Sequence, residues 1–247
     1  MKDIVDTAAG LGLTGIAIAD HFDPLWPDED DLNVLDLPIY EKALLEAESM
    51  CEGRIRFAKG IEVGFMPGEA LDICKKSVRA FPFDFVIGSV HGTATQAIEK
   101  PPFIEGRTTK EVIEEYYTLM LESVKNYSDY DVIGHINSVD RYTNGFATPD
   151  IDMPFIDEIL KIVIANGKGI EINTSSYRYG IGEHGTPTQA ILNRYKELGG
   201  EIVTIGSDSH GLKGIGAYID KGEEMLLASG IRYLAVYSER RPEFIKL

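Results

Sequence analysis

The chain has 247 residues, 44% of them hydrophobic, which is enough for one sizeable core and a routine length for a single α/β barrel domain over residues 1–247. Its net charge of −16 comes from 40 acidic against 24 basic residues with no local basic patch, which repels polyanions and argues against nucleic acid as a partner. No window approaches ~18 consecutive apolar residues and no signal-peptide pattern opens the chain, so the expectation is a cytoplasmic protein without a membrane partner.

A helical pattern covers residues 2–11 and closes at Gly10 and Gly12. Residues 14–19 read as a buried strand ending at Asp20 and His21, and a polar loop is expected over 22–38. A helix over 39–50 leads to a strand over 55–63 with Glu62 near its end. Pro67 is placed to begin a helix over 68–79. The strand over 83–90 runs into His91, and a loop over 92–107 leads to a helix start at Thr108 with Glu111 three residues on. A brief strand over 131–134 ends at His135, followed by a loop over 136–152 and a helix over 154–166. The next strand ends at Glu171 and Asn173, and the loop over 174–186 holds Arg178 and His184. Pro187 is read as opening the next helix. The stretch IVTIGSDSH delivers Asp208 and His210 from a strand end, and a last helix and a strand over 231–236 follow. Strands and helices alternate throughout, which predicts a parallel sheet of about seven β/α units closed or nearly closed into a barrel. Cys51 and Cys74 have no CxxC spacing and read as buried, reduced thiols.

Four of the five histidines, His21, His91, His135 and His210, fall just after strands, and a parallel barrel gathers those ends at one face. Each alone could be a cap or a hydrogen-bonded residue; together they read as metal ligands. Glu62 at the same height is a natural bridge between two cations, although it could cap a loop. Asp208 could be an N-cap, but its spacing from His210 favours ligation. Asp20 is expected to orient His21 or a neighbour rather than to bind metal. His184 reads as an exposed or substrate-facing residue. Imidazole and carboxylate without thiolate suit zinc, manganese or iron alike. Several such cations favour phosphoester hydrolysis, with amide or lactam hydrolysis as the chemical competitor. A serine or cysteine nucleophile is less attractive, since Ser89 and Ser207 lack the GxSxG elbow and neither cysteine sits at a strand end.

The series IADHFD, KGIEVG, IGSVHG, IGHINSVDRY, EINTSSYRYG and IGSDSH resembles the polymerase and histidinol phosphatase (PHP) family, in its histidinol-phosphatase branch. The resemblance implies a distorted (β/α)7 TIM-like barrel holding two or three divalent metals. It implies that Glu62, His91 and His135 share one metal, that Glu62 bridges to a second held by Asp208, and that His21 and His210 serve a third. It also implies an enzyme, a metal-dependent phosphatase acting on L-histidinol phosphate, with a small phosphorylated substrate as its partner. Arg141 and Arg178 are the candidate phosphate-binding residues, each with a surface salt bridge as its alternative role.

One departure stands against the family pattern: its members open with a short strand carrying His-x-His, and this chain opens where the following helix belongs. The expectation is therefore a barrel whose first strand is missing, with Met1 an internal methionine of a longer protein. The metal shared by Asp208 and Glu62 would then lack two ligands and turnover would be weakened. The alternatives are a metal-binding relative with little or no turnover and a phosphoesterase for another small ester; a homo-oligomer stays open.

Overall fold

The computed structural model describes residues 1–26, 35–143, 149–181 and 185–247. In chain order the elements are α1 (Lys2–Gly10), β1 (Gly15–Ile18), β2 (His21–Phe22), α2 (Leu37–Cys51), β3 (Arg56–Gly64), α3 (Glu69–Ala80) and β4 (Phe85–Ser89). Then come α4 (Pro101–Ile104), α5 (Thr109–Asn126), β5 (Val132–Ile133), α6 (Pro149–Ala165), β6 (Gly169–Asn173) and α7 (Ser175–Arg178). The chain closes with α8 (Gln189–Glu197), β7 (Val203–Gly206), α9 (Ile219–Ala228), β8 (Tyr233–Ser238) and β9 (Arg241–Lys246).

The sheet runs β1-β3-β4-β5-β6-β7, all parallel, with β2 pairing β3 beyond the end of β1. It is a distorted TIM-like half-barrel whose two edges, β1 and β7, do not pair. Side chains alternate across a strand, and the alternation divides the sheet into two chemically different faces. Ile61, Val63, Val86, Ile133, Ile170, Ile172 and Val203 join the helices in the main core, each burial contributing about 1.5–3 kcal/mol. The other face carries Glu62, which pairs with Ile87 in register, then Ser89 opposite Gly64, Glu171 opposite Thr204 and Asn173 opposite Gly206. Near the C-terminal strand ends this inner face is polar. Deeper in, Phe85, Ile87 and Val132 pack with Tyr237 as a separate apolar plug.

Side-chain caps set the starts of α2, α5 and α8. Thr108 caps α5 as expected, its Oγ1 accepting from the Glu111 amide while the Glu111 carboxylate accepts from the Thr108 amide. Asp36 caps α2 by accepting from the Ile39 amide at 3.1 Å. Pro187 does not open α8; it precedes the cap Thr188, whose hydroxyl takes the Ile191 amide. α6 begins earlier than the proline at 154 suggested and carries Pro154 inside it. As the sixth residue of α6, Pro154 lies beyond the four leading amides that lack intrahelical partners, so it forfeits one backbone bond, to the residue four before it.

The last strand is not a further barrel unit. β8 turns back antiparallel onto β9 through Glu239 and Arg240, both at positive φ, as a two-residue hairpin turn requires. The hairpin covers the N-terminal end of the sheet. Tyr237 stacks on Phe85 with ring centroids 5.0 Å apart, Arg240 Nε donates to Asp131 Oδ2 at 2.5 Å, and the Glu239 amide donates to Asp84 Oδ1 at 2.9 Å. Cys51 and Cys74 are free and buried. Among the described residues no helix is long and apolar enough to cross a membrane.

Candidate metal centre

Parallel register brings the strand-end ligands to one place. β2 extends past the expected break at Asp20, and its pairing with β3 sets His21 directly opposite Glu62. His21 Nε2 lies 3.5 Å from Glu62 Oε2, His91 Nε2 3.3 Å and His135 Nε2 3.1 Å from Glu62 Oε1. Ser89 Oγ donates to the same Oε1 at 2.5 Å. Gly134 makes the approach possible, since a Cβ there would stand 2.3 Å from Ser89 Oγ and 3.4 Å from Glu62 Oε1. His135 itself has φ +26, and its amide donates to Glu171 Oε2 at 3.1 Å.

The donor set fits a divalent cation. Glu62, His91 and His135 offer three ligand atoms within 4.8 Å of one another. The carboxylate-to-imidazole spacings are near the roughly 3.4 Å expected between ligands about 2.1 Å from one tetrahedral ion. Burial lowers the His135 pKa, which favours the neutral, ligating imidazole. Burial alone would raise the Glu62 carboxyl, but the charges of His21 and His91 and hydrogen bonds from His135 and His91 hold it well below the usual carboxylate range.

Asp208 and His210 lie side by side at the same rim. His210 Nε2 is 3.1 Å from Asp208 Oδ1, so they pair with each other; His210 is 65% exposed and its ring lies 5.7 Å from that of His21. Burial raises and the His210 hydrogen bond lowers the Asp208 pKa, leaving it at about 2. The other Asp208 oxygen accepts from Asn173 Nδ2 at 3.2 Å and Ser175 Oγ at 3.1 Å, with Arg141 Nη1 3.9 Å away. Two three-residue groups of donors are close enough to hold an ion among the described residues, and neither includes Asp208 or His210.

The two arginines also differ. Arg141 is partly buried, donates to Ser175 Oγ at 2.7 Å and lies 4.9 Å from the centre of the Tyr179 ring. Arg178 is exposed and donates to the backbone carbonyls of Ser207 and Asp208, so it grips the loop that carries Asp208. Asp208 has φ +47, a strained conformation for a non-glycine residue that this grip supports. His184 lies outside the described residues.

Three residues were missed by sequence reasoning. The carboxylate that hydrogen-bonds the imidazoles belongs to Asp23, which accepts from His91 Nδ1 at 2.9 Å. Asp20 hydrogen-bonds through its backbone, its amide meeting Tyr40 Oη and its carbonyl accepting from the Glu62 amide, while its carboxylate interacts with the charges of His21 and His210. Spacing of two from His21 along a strand was the signal for Asp23. Glu171 is buried between Glu62 and Asp208, and burial followed by those two charges pushes its pKa up to about 8. Asn173 donates to both Glu171 and Asp208, and its own spacing of two from Glu171 was the signal for the pair.

The chain is similar to known proteins. A family model described as PHP domain matches residues 1–175. A probable histidinol-phosphatase of Clostridium acetobutylicum is 31% identical over 245 residues, 98% of this chain and 91% of the relative. The histidinol-phosphatase of Lactococcus lactis is 28% identical over 95% of this chain and 87% of its own length. A crystal structure of histidinol phosphate phosphatase from Lactococcus lactis, complexed with zinc, L-histidinol and phosphate, superposes with a TM-score of 0.86 at 26% identity, covering 98% of this chain and 92% of that one.

Proposed function

The chain belongs to the PHP domain family, and from that premise we propose that it is a metal-dependent histidinol phosphatase, hydrolysing L-histidinol phosphate to L-histidinol and phosphate. Histidinol-phosphatase relatives that align over nearly the whole chain, one of them with zinc, L-histidinol and phosphate bound in its crystal structure, support the activity. The observation that carries the site is a buried Glu62 with imidazole nitrogens of His21, His91 and His135 at 3.1–3.5 Å.

Glu62, His91 and His135 would hold one divalent cation, and His21 with Asp208 and His210 would extend the set along the rim. When bound there, a divalent metal lowers the pKa of a water and offsets the charge growing on a phosphoryl oxygen. The chain's own groups do the rest. Arg141, anchored by Ser175 and lying beside Asp208, offers its guanidinium fork to the phosphoryl oxygens. Arg178 keeps the strained backbone at Asp208 in place through the two carbonyls it binds. Ser89 orients the Glu62 carboxylate by donating to Oε1.

The test is phosphate release from L-histidinol phosphate by the purified chain, before and after chelation and after reloading with zinc, manganese or iron. Release that disappears on chelation and returns with one of these metals is the expected result. Bound metal without release from this ester identifies a metal-binding protein without this activity, and release from other small esters only identifies a different phosphomonoesterase.

A further inference from the structure

Asp23 follows His21 by two residues, so on the extended β2 backbone both side chains leave the same face while Phe22 buries on the other. The pairing of His21 with Glu62 and Phe22 with Val63 carries the next step to Asp23 beside Gly64. Gly64 leaves room for the carboxylate, because a Cβ at that position would stand 2.0 Å from Asp23 Oδ1. The chain thus keeps a cavity in its strand end for this one side chain.

The carboxylate uses both oxygens on histidines. His91 Nδ1 donates to Oδ1 at 2.9 Å, and His21 Nδ1 lies 3.6 Å from Oδ2. A neutral imidazole has one N–H and one lone pair. Nε2, 3.3 Å from Glu62 Oε1, hydrogen-bonds that carboxylate when it carries a proton; with an ion bound, the proton kept on Nδ1 would leave the Nε2 lone pair for the metal. His21 repeats the arrangement, its Nδ1 towards Asp23 and its Nε2 towards Glu62.

We propose that Asp23 is a positioning residue for the metal centre: it fixes the Nδ1–H tautomer and ring orientation of His91, and steadies His21, so that both present Nε2 to the ion beside Glu62. This assignment rests on the metal reading above. The nearest rival is that Asp23 is itself a ligand, since His21, Asp23 and His91 also place donor atoms within 4.8 Å of one another. Chemistry separates the two. An ion on His91 Nδ1 takes the lone pair away from Nε2 unless the ring becomes an anion, and it removes His91 from the group it forms with Glu62 and His135.

The experiment is titration of the full-length metal-free chain with zinc by calorimetry and with cobalt by visible absorption, for wild type, Asp23→Ala and Asp23→Asn, with thermal melting as the check on folding. Asp23→Ala is expected to bind the same number of ions as wild type with affinity lowered about 10–100-fold, the usual effect of removing a carboxylate behind a ligating histidine. Asp23→Asn, nearly isosteric and still able to accept from Nδ1–H, is expected to recover a large part of that loss. One fewer ion bound in both variants makes Asp23 a ligand and overturns the assignment. So does an Asp23→Ala affinity within twofold of wild type. A wild-type chain that takes up no ion overturns the metal reading itself and this assignment with it, which is a different result from an intact wild-type site indifferent to Asp23.

Discussion

His135 Nε2 lies 3.1 Å from Glu62 Oε1, although 73 residues separate them in the chain. They meet because β3 and β5 flank β4 and the strands run parallel, so residues at matching strand ends share one height. A carboxylate in this position serves several imidazoles at once, and its loss removes more than one contact.

Replacing Glu62 by Gln keeps the shape and removes the charge. Phosphate release is expected to fall on the order of a thousandfold, the scale of losing metal stabilisation of phosphoryl charge, with metal content falling in parallel. Metal analysis of the purified variant beside a phosphate-release assay checks both; full activity with full metal content contradicts the role given to Glu62.

Gly134→Ala tests the close approach beneath the same carboxylate. Its Cβ would come within 2.3 Å of Ser89 Oγ and 2.7 Å of Ile87 Cγ2, so Ser89 and Ile87 must move. We expect a stability loss of about 1–3 kcal/mol from overpacking. Metal affinity should drop about 10–100-fold as the Ser89 to Glu62 hydrogen bond is displaced. Melting curves and zinc titration report the two effects separately.

Arg141 and Arg178 should separate kinetically. Arg141→Ala removes a charged donor from the phosphate, raising KM about 10–100-fold for a charge-assisted bond of roughly 1.5–3 kcal/mol. Arg178→Ala frees the Ser207 and Asp208 carbonyls and should lower kcat with a smaller effect on KM. Equal KM changes in the two variants would give both arginines the same job.

At the opposite end of the sheet, Asp84 supports Lys59, which is 9% exposed and bonded at 2.9 Å. Burial raises the Asp84 pKa, but hydrogen bonds from the Glu239 and Lys59 amides and from the Lys59 ammonium outweigh it and leave it lowered. A lowered carboxylate stabilises the fold fully above its unfolded value, about 3.9, and the contribution is lost as pH falls through the folded value. Asp84→Asn should therefore cost about 2 kcal/mol at neutral pH, less than breaking an isolated buried pair because Glu48 still holds Lys59. The difference from wild type should shrink below about pH 4. Denaturant melts at pH 7 and pH 3 measure it; a difference that grows in acid contradicts a lowered Asp84 carboxyl.

Much of this was legible in the residues. Apolar runs ending in His21, His91, His135 and Asp208 marked parallel strands, because burial on the helix-facing side demands Ile and Val whatever the rest of the chain does. The Thr108 and Glu111 cap was equally local. What escaped depended on register. The pairing of β2 with β3 carried strand structure past His21 and brought Asp23 against His91. The contacts of Arg178 escaped in the same way, because the Ser207 and Asp208 carbonyls it binds belong to a loop about 30 residues further along the chain.

The sequence by itself determined which residues gather at one face: periodicity and strand-end position are properties of a short stretch, and they named Glu62 and the three histidines that lie within 3.5 Å of it without any neighbour in view. Only the tertiary structure decided how those residues divide the work. The pairing of Asp208 with His210, the placement of Glu171 between two other carboxylates and the antiparallel return of β8 onto β9 all depend on distances between segments brought together by folding. Those distances are set by sheet curvature and strand register, which no single stretch of residues encodes.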